Sequence, residues 1–289
     1  MTIKTRPNIR DLLQTSRALA EKTALTELSS GSALHDAIRY HYLTSGSEAR
    51  AALCLSASIA LGLTPDAAIR VAASVETLHN ASLIQDDLQD RDEIRRGKTA
   101  IWKKFSPDIA INATDLLIAS AFELVASAGS DSAHRLVTTM NRAIARTLQG
   151  QTKDLNAVRD LGVDQAIAVA KEKSGPLFSL SLELPLVLAG HSYFLRMARE
   201  AGAAFGIGYQ IFDDINDAAR DRESGNLSNL ALLLGSSGDT LSSLEGAEGL
   251  AHHYLQEAAS GATALPNGCG ALLADKCAEL LSELDREAA

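Results

Sequence analysis

Proline is scarce in this chain, at 6 of 289 residues, and no Gly/Ser-rich stretch interrupts it. A sequence with so few breakers gives no compositional reason to divide it, so one domain over residues 1–289 is expected. The cysteines number 3 (Cys54, Cys269 and Cys277) and form no CxxC pair. They offer no obvious disulfide framework, and a reducing cytoplasm is the expected home. Alternation of apolar and polar residues is hard to find, which argues against sheet. No apolar run reads as long enough to span a membrane, and Met1-Thr2-Ile3-Lys4 lacks the apolar core of a secretion signal. Positive charge is also short: 27 basic against 36 acidic side chains give a net charge of −9. A nucleic-acid partner therefore has no global electrostatic support.

What the chain has is alanine, leucine and aspartate in a helical pattern. An all-α fold is expected. Thr64-Pro65-Asp66 is a helix start, combining a capping hydroxyl, proline at the first position and an acid near the positive end of the dipole. The helix it opens should run to about Asp90. A last amphipathic helix is expected after about Asn267, and a loop within residues 232–246.

The sequence DDxxD occurs twice, each time ending an apolar helical run. The first copy is Asp86-Asp87-Leu88-Gln89-Asp90 and the second is Asp213-Asp214-Ile215-Asn216-Asp217. Residues four apart share a helix face, so Asp86 projects with Asp90 and Asp213 with Asp217. Six carboxylates aimed into one space repel unless cations fill it. Hard oxygen donors of this kind suit Mg²⁺, which keeps waters and takes up substrate phosphates. One such motif alone is more often a solvated helix face; two with the same spacing and lead-in point to a diphosphate. A calcium loop is excluded because neither segment has the Gly and Glu positions of an EF-hand. A di-iron bundle, suggested by Glu76-x-x-His79, would need a second ExxH, and no other histidine follows a Glu at that spacing.

Phosphate-binding chemistry flanks both motifs. Arg95-Arg96-Gly97-Lys98 puts adjacent arginines in a Gly-bounded turn, suited to bidentate phosphate contacts. Lys173-Ser174-Gly175-Pro176 puts a further cation beside small residues, and His79 stands two helical turns before Asp86 on its face.

The stretches ETLHNASLIQDDLQD, IRRGKTAIW, GQTKDL, KSGPLF and FGIGYQIFDDIND together resemble the trans-isoprenyl diphosphate synthases (the polyprenyl synthetase family), in that family's order, over roughly residues 40–225. The resemblance implies a helical bundle around a deep apolar cavity, a homodimer, and three Mg²⁺ ions holding the diphosphate of an allylic prenyl substrate. Pulling on that leaving group ionises the C–O bond, and the allylic cation is attacked by the double bond of isopentenyl diphosphate. Carried over residue by residue, Asp86, Asp87, Asp90, Asp213, Asp214 and Asp217 are the metal set. Arg95, Lys173, Ser174 and Gln210 are the allylic-diphosphate contacts, and Arg50, His79 and Arg96 the acceptor contacts. Small residues at Ala81 and Ser82 leave room for a farnesyl- or geranylgeranyl-length chain.

The chain departs from the family on the acceptor side. Where the family has GGKRxRP, this sequence reads Ser45-Gly46-Ser47-Glu48-Ala49-Arg50-Ala51. Ser47 replaces lysine, Glu48 replaces arginine and Ala51 replaces proline, while Arg50 is kept. Two cations become a neutral group and an anion. Asn226 replaces a further lysine, with Arg222 nearby, and Gln85 stands where His is common. Ionisation of an allylic diphosphate is thus expected to be preserved, and use of isopentenyl diphosphate is in question. A class I terpene cyclase on the same scaffold is the alternative, although 4% aromatic residues leave few rings to stabilise migrating cations. A non-catalytic subunit of a heteromeric synthase is a further reading, disfavoured by two intact aspartate sets.

Overall fold

The structure is a computed structural model that describes residues 8–44, 46–156, 162–224, 229–234 and 240–287, with the side chains of 219–224, 240–245 and 287 left aside. Asn226 lies outside the described residues, as do Ser45 and the Arg222 side chain. The described chain is helical, with one two-stranded hairpin of two residues per strand, β1 (Ile94–Arg95) and β2 (Lys98–Thr99). The all-α expectation holds, and the hairpin is the one element it omitted.

Packing divides the chain into two compact units. The first comprises the chain up to Thr138 with Val187–Ala189, and the second Thr139–Leu186 with Gly190 onward.

In the first unit, α4 (Pro65–Asp90) is the central element. It starts as the sequence predicts: Ala67 N–H donates to the Thr64 hydroxyl at 3.3 Å, and Pro65 opens the helix. It ends at Arg91, whose backbone is left-handed (φ 64°). Thirteen of its residues are buried, from Ala68 to Asp87. It is enclosed by α1 (Ile9–Leu25), α3 (Ala49–Ala60) and α6 (Pro107–Ala126), with α2 (Ala33–Tyr42) against α6 and α5 (Ile101–Lys104) beside both.

Helix α6 corrects one expectation. Its 20 residues are long and apolar enough to cross a membrane by length and composition. In this fold the same apolarity serves the core, because Ala110, Ala113, Leu117 and Ala121 are fully buried. A helix packed into a bundle and a helix in lipid need similar side chains, so composition does not separate the two.

In the second unit, α10 (Leu195–Ser224) packs along α12 (Thr240–Thr263), and α12 along α13 (Ala271–Glu287), the expected last helix. Within residues 232–246, helix α11 (Leu230–Leu234) covers the start, and 235–239 lie outside the described residues. The remaining helices are α7 (Ala133–Leu155), which begins in the first unit, α8 (Val163–Lys173) and α9 (Gly175–Leu188).

Glycines set the closest approach of α9 and α10. A Cβ on Gly206 would lie 2.8 Å from both the Cα and the N of Gly175, so the two backbones touch where no side chain fits. Because the neighbour is backbone, nothing can swing aside. Gly206→Ala is expected to destabilise the protein by about 2 kcal/mol or more, read as a lower midpoint in urea unfolding followed by circular dichroism. An unchanged midpoint would mean that the two helices are free to separate.

Candidate active site

The first aspartate motif occupies the last turn of α4. Its middle carboxylate, Asp87, is only 3% exposed, whereas Asp86 is half-buried and Asp90 exposed. Burial raises the pKa of Asp87, and the Arg95 guanidinium opposes that shift. Arg95 Nε donates to Asp87 Oδ1 at 2.7 Å, a second guanidinium nitrogen meets the same oxygen, and Asp92 Oδ2 is 3.7 Å away. The β1–β2 hairpin makes this reach possible. Arg96 (φ 51°) and Gly97 (φ 73°) form its two-residue turn, both with positive φ as a tight hairpin of this hand requires. Glycine takes that conformation freely, and Arg96 takes it at some cost.

The acceptor residues of the sequence reading also converge. Arg50 Nη1 lies 3.1 Å from His79 Nε2. Arginine can only donate, so Nε2 accepts and the imidazole proton sits on Nδ1. Burial holds the His79 pKa well below its ordinary value, with Arg50 and Arg96 adding to the effect; His79 is a neutral acceptor here. Beneath it, His41 Nε2 is 2.9 Å from Asn80 Oδ1, and burial lowers the His41 pKa to about 4.

In the second unit, Lys173 ends α8 and donates to Asp154 Oδ2 at 2.6 Å, while Lys153 donates to Glu172 Oε1 at 2.7 Å. These two crossed pairs explain the GQTKDL stretch. Gly150 has no room for a Cβ against the backbone of Glu172 and Lys173, so α7 and α8 come close enough for both bridges. Asp154, which GQTKDL contains and to which the sequence assigns no role, is the partner of Lys173. Ser174 follows as the C-cap of α8.

The second aspartate motif lies on α10. Asp214 is 9% exposed and both of its oxygens are engaged. Gln210 Nε2 donates to Oδ1 at 2.9 Å, and the Leu230 N–H donates to Oδ2 at 2.8 Å. Asn229 Nδ2 donates to the Asp214 carbonyl at 2.7 Å, and Asn229 Oδ1 accepts from Leu232 N–H at 3.1 Å. Asn229 thus caps α11 and ties it to α10. No motif flagged Asn229; its only sequence signal is a capping residue before an apolar run. Asp213 stands beside this network with its pKa pushed up to about 7, by burial first and then by Asp214 and Asp217.

A cavity of about 480 Å³ opens in the second unit. Its lining includes Arg142, Arg146, Lys171, Glu183 and Arg199, so it is charged, and it includes neither aspartate motif. Among the described residues, no group of three or more His, Cys, Asp or Glu side chains is already gathered at metal-binding distance. The donor chemistry still fits a hard divalent cation, since Asp213, Asp214 and Asp217 repel one another and a cation would relieve that repulsion.

The polyprenyl synthetase family matches residues 32–227, a span that contains both aspartate motifs with Arg50, His79, Arg95, Arg96, Lys173 and Gln210 but not Asn229 or Leu230. The chain belongs to the polyprenyl synthetase family. It is 33% identical over 189 residues to a geranylgeranyl pyrophosphate synthase of Geoglobus acetivorans, covering 64% of this chain and 59% of that protein. A (2E,6E)-farnesyl diphosphate synthase of Mycobacterium tuberculosis is 32% identical over 173 residues, covering 59% and 48%. The chain thus spans about half to three-fifths of the length of these curated relatives. Among solved structures, heptaprenyl diphosphate synthase of Staphylococcus aureus superposes with a TM-score of 0.81 at 20% identity, over 96% of this chain and 99% of that one. That likeness establishes the fold, and the family match accounts for the motif order.

The raised pKa of Asp213 has a definite sign. Its folded value, about 7, lies above the ordinary aspartate value. Folding therefore favours its protonated form, and that stability is lost as pH rises from about 4 to 7. Asp213→Asn removes the ionisation. In metal-free buffer the variant is expected to gain on the order of 1–3 kcal/mol over the parent at pH 8 and little at pH 4. Urea midpoints at both pH values check this, and equal gains at both would refute the assignment.

Proposed function

We propose that this chain is a Mg²⁺-dependent trans-prenyltransferase that ionises an allylic diphosphate, couples the prenyl cation to an acceptor and releases pyrophosphate. The observation that carries the reading is the pair of DDxxD motifs, each on a long helix with its flanking cations already oriented by side-chain partners. The named relatives, a geranylgeranyl pyrophosphate synthase and a farnesyl diphosphate synthase, support this class of reaction. On this reading the two units act together as one domain over residues 1–289, in the cytoplasm and as a homodimer.

Asp86, Asp87, Asp90, Asp213, Asp214 and Asp217 would hold the metal ions. Bound Mg²⁺ would supply Lewis-acid pull on the departing diphosphate. The protein's own share is electrostatic. Lys173, held by Asp154, and Arg95, held by Asp87, are each a cation fixed by a partner in its own unit, and each would offer positive charge to a diphosphate with little reorganisation. Gln210 orients Asp214 and offers amide polarity to the same diphosphate, with Ser174 beside Lys173. Ala81, buried, and Ser82, half-buried, lie about one turn before Asp86, and their small size would leave room for a farnesyl- or geranylgeranyl-length chain.

A class I cyclase on this scaffold keeps one observation in its favour. Phe178, Phe205 and Tyr209 cluster with ring centroids 4.8 to 6.0 Å apart, and such faces stabilise carbocations. Product analysis separates the readings. The protein is incubated with Mg²⁺ and geranyl, farnesyl or geranylgeranyl diphosphate, with and without isopentenyl diphosphate. Prenyl transfer yields an acceptor-containing product, and cyclisation yields a hydrocarbon or alcohol without one. Asp86→Ala and Asp213→Ala are each expected to lower pyrophosphate release by about 10²-fold or more with an unchanged circular dichroism spectrum. Retained turnover in both would remove the aspartates from the mechanism.

A further inference from the structure

The acceptor side of the first unit carries more than a missing lysine and arginine. Glu48 precedes α3 in a left-handed conformation (φ 49°) and makes no capping hydrogen bond. Its carboxylate instead faces Arg17 of α1, at 3.5 Å, and Arg17 also donates to the Tyr42 carbonyl. The pair is half-buried, with side chains 30% and 25% exposed. An ion pair in that setting is less screened than one at a free surface. Arg17 is thereby matched within the protein.

Glu76 adds a second carboxyl group from beneath. It is 7% exposed, and its Oε2 has no hydrogen-bond partner. The charges around it are Arg50, Glu48 and Arg96, and its carboxyl group accepts from the Ala51 backbone at the start of α3. Arg96 packs its guanidinium over Gly46, where no Cβ would fit. His79 contributes no charge, as described above. Burial raises the Glu76 pKa and favours its neutral form, so three cations (Arg17, Arg50 and Arg96) stand against the Glu48 carboxylate, a net charge of +2. With lysine at position 47 and arginine at 48 the same cluster would carry +5.

A free diphosphate brings several negative charges and needs about as many fixed cations to replace its hydration. This cluster supplies two in excess. It also supplies the part-exposed Glu48 carboxylate, which a diphosphate repels and a hydroxyl can use. We infer that the acceptor site of this protein selects an acceptor of lower charge, with a hydroxyl or monophosphate headgroup, over a diphosphate, with Glu48 as the selecting residue. The inference rests on the proposed prenyl transfer and on the acceptor lying at Arg50, His79 and Arg96.

The chemistry balances with such an acceptor. The allylic C–O bond breaks and its electron pair leaves with pyrophosphate. The acceptor's double bond forms the new C–C bond to the allylic carbon, and a proton lost from the neighbouring acceptor carbon passes to pyrophosphate. No step needs the acceptor's own diphosphate.

One carbon skeleton tests the charge preference. Isopentenol, isopentenyl monophosphate and isopentenyl diphosphate differ in charged headgroup alone. Their binding to the metal-free full chain is measured by calorimetry, for the parent, Glu48→Gln and Ser47→Lys/Glu48→Arg. In the parent, the monophosphate is expected to bind at least as tightly as the diphosphate. The double variant should tighten the diphosphate at least tenfold relative to the monophosphate, Glu48→Gln should move the same way by less, and isopentenol should be unchanged. A parent preference for the diphosphate over the monophosphate, or a double variant with an unchanged ratio, overturns the inference. Circular dichroism confirms that the variants are folded. The assay contains neither metal nor allylic substrate, so it is independent of Mg²⁺-dependent pyrophosphate release from geranylgeranyl diphosphate. Loss of that release would sink prenyl transfer and leave the binding ratio standing.

Discussion

Charge carried to the end of a buried helix has to be matched, and this requirement organises each part of the candidate site. Helix α4 is enclosed along most of its length, yet its last turn holds three aspartates. The most buried of them, Asp87, is tolerable there because Arg95 meets it directly; an isolated carboxylate at that depth would protonate or pull the helix end outward. The β1–β2 hairpin exists at the right place to bring that guanidinium back to α4. In the second unit, Lys173 is matched by Asp154, and Asp214 by an amide and a backbone N–H.

The two motifs solve the problem in parallel ways. In each, the second aspartate is the buried member and is engaged within the protein, while the first and last stand nearer the solvent. Asp213 is the exception that carries information. Burial first, and then Asp214 and Asp217, raise its pKa. The interactions that oppose its ionisation on folding are those a bound divalent cation would relieve.

The acceptor side shows the matching rule used to a different end. Glu48 and Arg17 face each other as an ion pair. The fold of the family is kept, as the superposition with Staphylococcus aureus heptaprenyl diphosphate synthase indicates, and the inferred change is confined to the charge of one subsite. A scaffold made of packed helices allows this, because residues at helix starts and turns can change sign without altering the apolar contacts that hold the bundle.

The start and end of α4, the placement of the first motif on it and the terminal helix were legible in the sequence because their causes are local. Thr64 and Pro65 act on the next few backbone groups, and helical periodicity needs no distant partner. The two-residue hairpin was partly legible, through the glycine in its turn. Which carboxylates are engaged was not legible, since Arg95–Asp87, Lys173–Asp154 and Asp214–Leu230 join residues 8, 19 and 16 positions apart. The role of α6 was not legible either, because an apolar helix reads alike whether a core or a membrane receives it. Sequence alone determined which chemical groups this protein owns and in what order. Tertiary packing decided which of those charges face each other, because electrostatic pairing depends on distance in space and on exclusion of water, and neither is written in the order of residues.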